Sequence, residues 1–285
     1  MNIKFYDAHI HFIFQQAPSD LKNIFLYLEG IGLAGFVALV IAEYPSDMGT
    51  IRKMVPQGFH DRVSLEIFAK QKEPFLLFSQ TPHLEIVPYL DARFIETNIE
   101  QKIENYRALG FKGMKLLYVP EEDSTMGLSG MQHAFGRHRK QSERITSLLI
   151  ESASAHGMSI LVHADLRRYS DFISEMIKAH PMTNFNIPHF GFSRREISSL
   201  LEEYENCYTD LSSLAAFVKK EPETYLEFIR RYKDKILFGS DALIGGPEVV
   251  QSTRDFFFNF LSDKALLTRV FSKNYLEFHK RSNKL

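Results

Sequence analysis

The sequence predicts an α/β chain folded as a distorted (β/α)8 barrel, a TIM barrel, with extra helices at its C-terminal end. Three observations predict it. Eight apolar, strand-like runs alternate with segments of helical periodicity, and eight consecutive βα units favour a closed parallel barrel over an open sheet. A length of 285 residues suits one such barrel. The residues with metal-binding chemistry recur at the C-terminal ends of the runs, where barrels of this kind gather their sites.

The candidate strands are 3–11, 35–43, 85–91, 111–118, 159–164, 185–189, 207–211 and 235–240. For the third strand, Phe75-Leu76-Leu77-Phe78 competes with 85–91. Helical segments lie between them at 20–30, 60–72, 98–109, 140–156, 170–180, 194–205 and 219–232. Two more, 247–261 and 263–280, follow the last strand. Gly110 and Gly157 end helices as C-cap glycines, and Ser193 has capping-box spacing to Glu196. No repeat, low-complexity tract or linker divides the chain, so 1–285 reads as a single domain. The longest loop, 119–139, follows strand four and reads as a lid over the mouth.

Composition narrows the partners. A formal net charge of −1 disfavours a nucleic-acid surface. No apolar run approaches a membrane span, and no signal pattern precedes the first strand. The lone cysteine, Cys207, excludes an internal disulfide and reads as a buried small hydrophobe. The expectation is a cytoplasmic protein acting on a small molecule.

The chemistry starts at Asp7-Ala8-His9-Ile10-His11-Phe12. Side chains at i and i+2 of a strand share a face, so His9 and His11 aim the same way, and imidazole suits zinc and its neighbours. His163, His189 and Asp241 end strands five, six and eight, and Lys115 lies on strand four. Several imidazoles and a carboxylate around one mouth make a metal site by ligand chemistry alone. Arg93, Arg167 and Arg194 follow strand ends and would suit an anionic group on the substrate. His133 reads as a surface residue, and Arg137-His138-Arg139-Lys140 as a solvated helix start.

The order His-x-His, Lys, His, His, Asp on strands one, four, five, six and eight resembles the amidohydrolase superfamily. The wording is closest to its amidohydrolase-related branch: Tyr6-Asp7-Ala8-His9-Ile10-His11, Gly110-Phe111-Lys112-Gly113-Met114-Lys115-Leu116, Leu161-Val162-His163, Pro188-His189-Phe190-Gly191 and Leu237-Phe238-Gly239-Ser240-Asp241. The resemblance implies that His9, His11, His163 and Asp241 bind one divalent metal, zinc before manganese, iron or magnesium. It implies that Asp241 also takes a proton from water, and that His189 binds a second metal or acts as acid/base. Lys115 would bridge two metals if carboxylated; the structural or substrate-binding reading is favoured. Many relatives carry a His two residues after that Lys. Here the position is Leu117, with Tyr118 or the 119–139 loop as replacements.

The branch implies a metal-dependent hydrolase of a small amide, lactone or ester. Its alternative is a metal-dependent non-oxidative decarboxylase of an aromatic or unsaturated acid, similar to aminocarboxymuconate semialdehyde decarboxylase. A TatD-type nuclease is disfavoured by Lys115, by Gly239-Ser240-Asp241 and by the charge. A catalytically dead barrel is disfavoured by the complete ligand set.

Overall fold

The computed structural model describes residues 4–15, 17–71 and 83–281. The alternative third strand at 75–78 lies outside them. The strands are β1 (Phe5–His11), β2 (Leu33–Val40), β3 (Glu85–Asp91), β4 (Gly113–Leu117), β5 (Ser159–His163), β6 (Phe185–Ile187), β7 (Cys207–Asp210), β8 (Ile236–Leu237) and β9 (Ala242–Leu243). They pair in parallel in the order β8-β7-β6-β5-β4-β3-β2-β1-β9. The two ends of that order belong to one extended segment. β8 pairs with β7 and β9 with β1. Between them the Ala8 N–H donates to Phe238 O and the Asp241 N–H to His9 O, both at 2.9 Å. Residues 236–243 therefore close the sheet into a barrel, where the sequence predicted one eighth strand at 235–240.

Alternation sorts the strand residues into two cores. In β2, Phe36, Ala38 and Val40 face the helices, while Val37 and Leu39 join an inner cluster. That cluster also holds Ala8, Val87, Tyr89, Leu161, Tyr208 and Leu237, from five other strands. Tyr275 and Phe278 fill it from below, carried on the helix Asn274–Arg281. Tyr89 Oη lies 3.2 Å from His279 Nε2, and Asn184, just before β6, donates to Phe278 O at 2.6 Å. The C-terminal helix thus plugs the N-terminal end of the barrel. Gly113 is required here, since a Cβ would sit 2.2 Å from the Tyr89 ring.

One step further along the strands the interior turns polar. Asp91, Lys115, His163 and Asp210 each follow an interior residue by two positions: Tyr89, Gly113, Leu161 and Tyr208. β1 reaches the same layer by another route. Asp7 pairs with Phe36 and Ile10 with Ala38, so β1 has one residue more than β2 across this step. This bulge changes parity, and His9 and His11 follow Ala8 into the interior.

Outside the strands the helices largely follow the expected pattern. The predicted helix 60–72 begins at Leu65, after a 3-10 turn at Gln57–Arg62. The predicted 219–232 is two helices, Ala215–Lys220 and Pro222–Arg231, because Pro222 cannot continue the first. The predicted 263–280 is interrupted by a π turn at Arg269–Lys273. The 119–139 loop contains a short helix, Gly130–Phe135. Ser193 Oγ accepts from the Glu196 N–H at 3.3 Å, and Gly110 and Gly157 adopt positive φ after their helices. Among the described residues no helix is long and apolar enough to cross a membrane.

Candidate metal centre

Three ligand-type side chains converge at the mouth. His9 Nε2 lies 3.1 Å and His11 Nε2 3.2 Å from the same atom, Asp241 Oδ1. Among the described residues these three form the His/Cys/Asp/Glu group close enough to hold an ion. Asp241 is aimed by an unusual backbone: its φ is +60°, which turns the carboxylate back from the closing segment toward β1. Ser213 Oγ donates to its other oxygen, Oδ2, at 2.8 Å. Burial would raise the Asp241 pKa, but the pull of His9 and the hydrogen bond from His11 outweigh it and hold the group well below the carboxylate range.

His9 is oriented from behind. Its Nδ1 lies 3.3 Å from Asp210 Oδ2 and 3.2 Å from Ser212 Oγ. Burial, and then the charge of Lys115, lower the His9 pKa to about 4, so the ring is neutral and carries one proton. The carboxylate of Asp210 can only accept, which places that proton on Nδ1 and leaves a lone pair on Nε2. That lone pair faces Asp241 Oδ1, another acceptor. Two acceptors at 3.1 Å call for a cation between them. Donor atoms bound at about 2.0–2.2 Å and separated by about 90–110° lie about 2.8–3.6 Å apart, a range that includes the observed spacing. The residues present therefore fit a divalent metal.

Asp210 is the hub that the sequence reading missed. Besides His9 it accepts from Asn186 Nδ2 at 2.9 Å, from the backbone N–H of Ser212 at 3.1 Å and of His189 at 3.3 Å, and from Ser212 Oγ. Burial works against its charge, yet the hydrogen bond and attraction of His9 win, and the carboxyl is held far below its usual range. An acid ending a candidate strand was the available signal, the same one that picked out Asp241.

His189 is not on a strand. β6 ends at Ile187, and residues 189–192 form a left-handed turn with φ of 56°, 55°, 55° and 61°. Non-glycine residues incur roughly 1–2 kcal/mol each in that conformation, so the surroundings must hold it, as strained residues at functional sites require. The Nδ1 of His189 is 2.9 Å from Ser212 O, and its Nε2 is 3.8 Å from Asp241 Oδ2. His163 stands apart from the three-residue group. Its Nε2 is 2.9 Å from Met126 Sδ, and its ring packs against those of His189 and Phe192. Lys115 Nζ lies 3.5 Å from His9 Nε2, its pKa lowered to about 8 by burial against the pull of Asp91.

The cavity over the centre holds about 710 Å³ of empty space, part of it open to solvent. His11, Lys115, His163 and Asp241 line it with Leu117, Met126, Leu128 and Arg93. The loop expected as a lid does contribute Met126 and Leu128. Three sequence-predicted substrate contacts fall elsewhere. Tyr118 is buried on the outer side of β4, against Tyr169 and Phe172, because alternation turns it away once Leu117 faces in. Arg167 forks onto Asp165, and Arg194 onto Glu221 and Thr224 over the ring of Tyr225. Arg93 reaches the cavity, but Nε and Nη2 are bound by Asp91 and Nη1 by Met54 O. Cys207 is buried, its thiol pushed up to about 12 by burial, and His133 is exposed.

A barrel that brings His9 and His11 of β1 together with Asp241 of the closing segment at its mouth defines a protein of the metal-site barrel class. The chain belongs to the amidohydrolase family: the family model described as "Amidohydrolase" matches residues 86–277. That stretch omits β1, so the place of His9 and His11 rests on the geometry above. Three solved structures share the fold. An uncharacterised TIM-barrel protein of Bordetella bronchiseptica is 11% identical, with a TM-score of 0.59, covering 99% of this chain and 100% of that one. A protein of Lactobacillus casei described as a metal-dependent hydrolase is 14% identical, with a TM-score of 0.55 and coverage of 99% and 97%. The phosphotriesterase homology protein of Escherichia coli, with phosphate in its active site, is 9% identical, with a TM-score of 0.56 and coverage of 98% and 99%. No curated protein matches the chain.

Proposed function

We propose that the protein hydrolyses a small amide, lactone or ester at this centre. The observation that carries the reading is the shared approach of His9 Nε2 and His11 Nε2 to one oxygen of Asp241, a residue that lines the cavity. A divalent cation there polarises a substrate carbonyl and makes water nucleophilic near neutral pH. His9, His11 and Asp241 would hold it, with His163 joining after its ring leaves Met126. Imidazole nitrogens with one carboxylate suit zinc.

The side chains divide the remaining work. Asp241 accepts the proton of the attacking water as the new carbon–oxygen bond forms. His189, whose Nδ1–H donates to Ser212 O, holds its Nε2 3.8 Å from Asp241 Oδ2. It receives that proton and delivers it to the leaving nitrogen or oxygen as the carbon–heteroatom bond breaks. Of the two roles expected for His189, this is the acid/base one. Lys115 holds positive charge at the cavity floor.

The test is a screen of small amides, lactones, esters and aromatic acids against wild type and Asp241→Asn, following acid release and carbon dioxide together. Acid release in wild type that falls about 10²–10⁴-fold in Asp241→Asn, with the metal retained, is expected. Carbon dioxide from an unsaturated acid would replace hydrolysis by decarboxylation. Near-normal turnover in Asp241→Asn would overturn the assigned base.

A further inference from the structure

Arg62 lines the cavity above the centre at the end of the turn Gln57–Arg62. Its side chain is exposed at the rim. Arg93, the other guanidinium of the cavity, is bound by Asp91, whereas Arg62 meets no carboxylate among the described residues. Its guanidinium lies over the ring of Phe59, 5.9 Å from the centroid. The turn that presents it is fastened on three sides. Gln57 N donates to Gly127 O at 3.3 Å, Gln15 Nε2 to Asp61 O at 3.1 Å, and His60 Nε2 lies 2.9 Å from both Arg52 O and Val55 O. Between this cation and the polar floor the walls are apolar: Ile13, Ile41, Val55, Phe59, Met126 and Leu128.

A ligand that fills such a space has three parts. A carbonyl end reaches His11 and Asp241, an apolar body meets the walls, and an anion meets Arg62. We propose that the substrate is a carboxylate-bearing amide, lactone or ester with an aromatic or aliphatic body, and that Arg62 selects it by pairing with the carboxylate. The proposal rests on the hydrolytic reading for the bond broken, but not for the anion subsite. A planar guanidinium matches a carboxylate with two parallel hydrogen bonds. Cavities of this kind take orientation from a few polar groups set in an apolar lining.

Two measurements separate the subsite from the chemistry. The first compares hydrolysis of 4-acetoxybenzoate and of neutral phenyl acetate by wild type, Arg62→Met and Arg62→Glu. Wild type should show the lower KM for 4-acetoxybenzoate, by about 10-fold, the size of one charge-assisted pair at a half-open rim. The ratio of the two KM values should collapse toward one in Arg62→Met and invert in Arg62→Glu. The second is calorimetric binding of 4-hydroxybenzoate and phenol to the metal-loaded proteins. The acid should bind more tightly to wild type, and Arg62→Met should erase the preference. A preference for the acid that survives in Arg62→Met, or no preference in wild type, overturns the proposal. Hydrolysis of neither ester, together with an acid preference that Arg62→Met erases, upholds the anion subsite and removes the hydrolytic reading instead.

Discussion

Replacing Asp210 by Asn keeps the shape of the side chain and removes one of its two acceptors. In the native protein Oδ2 receives His9 Nδ1 at 3.3 Å and Asn186 Nδ2 at 2.9 Å, while Oδ1 receives two backbone N–H groups and Ser212 Oγ. The three donors on Oδ1 keep the amide oxygen of the new side chain on that side, so its NH2 group takes the place of Oδ2. The new donor faces two donors. His9 can relieve the clash only by moving its proton to Nε2, which is the atom that faces Asp241 at 3.1 Å. Metal affinity should therefore fall by about 10–100-fold, the usual cost of altering a group that orients a ligand histidine. That corresponds to about 1.4–2.7 kcal/mol. Asp210→Ala leaves five donors without their acceptor and should cost about 3–5 kcal/mol of stability as well. The assay is competition between protein and a chelator for zinc, with circular dichroism and a thermal melt on the same samples. A folded Asp210→Asn protein with wild-type zinc affinity would refute the tautomer argument.

Other outcomes follow from the same neighbourhood. Gly239→Ala would put a Cβ 3.1 Å from His9 Cβ and 3.2 Å from Asp210 Cγ; it should lower the melting temperature, at a cost of about 1–3 kcal/mol, and weaken zinc binding in the chelator assay by spreading the two residues it touches. Acid should destabilise the metal-free protein through His9. Its folded pKa of about 4 lies below the unfolded value of 6.5, so its contribution is present above pH 6.5 and is lost as pH falls through 4. The loss approaches about 3 kcal/mol for this buried group. Urea unfolding at pH 7, 5 and 4 should show a shallower decline in His9→Asn than in wild type, and equal slopes would contradict the buried neutral ring.

How far the sequence led depended on how local each cause was. The strands were legible because a short apolar run is a property of five or six adjacent residues, as in β2 and β3. The ends of β6 and β8 were not. There the chain enters positive φ at His189 and Asp241, and those conformations are held by contacts to residues remote in sequence. His9, His11 and Asp241 could be read as a group because each ends a run. His163 could be placed at the mouth by the same rule, yet its contact with Met126 depends on how the 119–139 loop folds back. Two of the arginines are tied up for a reason that was in plain sight. Asp91-Ala92-Arg93 and Asp165-Leu166-Arg167 both carry an acid two residues before the guanidinium, and in both the fork closes on that acid. Arg62 carried no signal of its own, since its value lies in which neighbours it lacks.

The place where the barrel closes has a consequence for how the protein comes into being. Ala8 bonds Phe238, and Asp241 bonds His9. The first strand must therefore wait for the last while nearly all the chain is made, about 12–50 s at a synthesis rate of roughly 5–20 residues per second. During that interval the open edge of β1 and the inner faces of β1 to β7 have no lasting cover, the kind of exposure that draws chaperones or aggregation. No product that stops before Asp241 can gather the three candidate ligands, which are brought together by the same few hydrogen bonds that shut the sheet. Assembly of the candidate metal centre and closure of the sheet are one event in this chain, and the appearance of metal binding on a translating ribosome would time it.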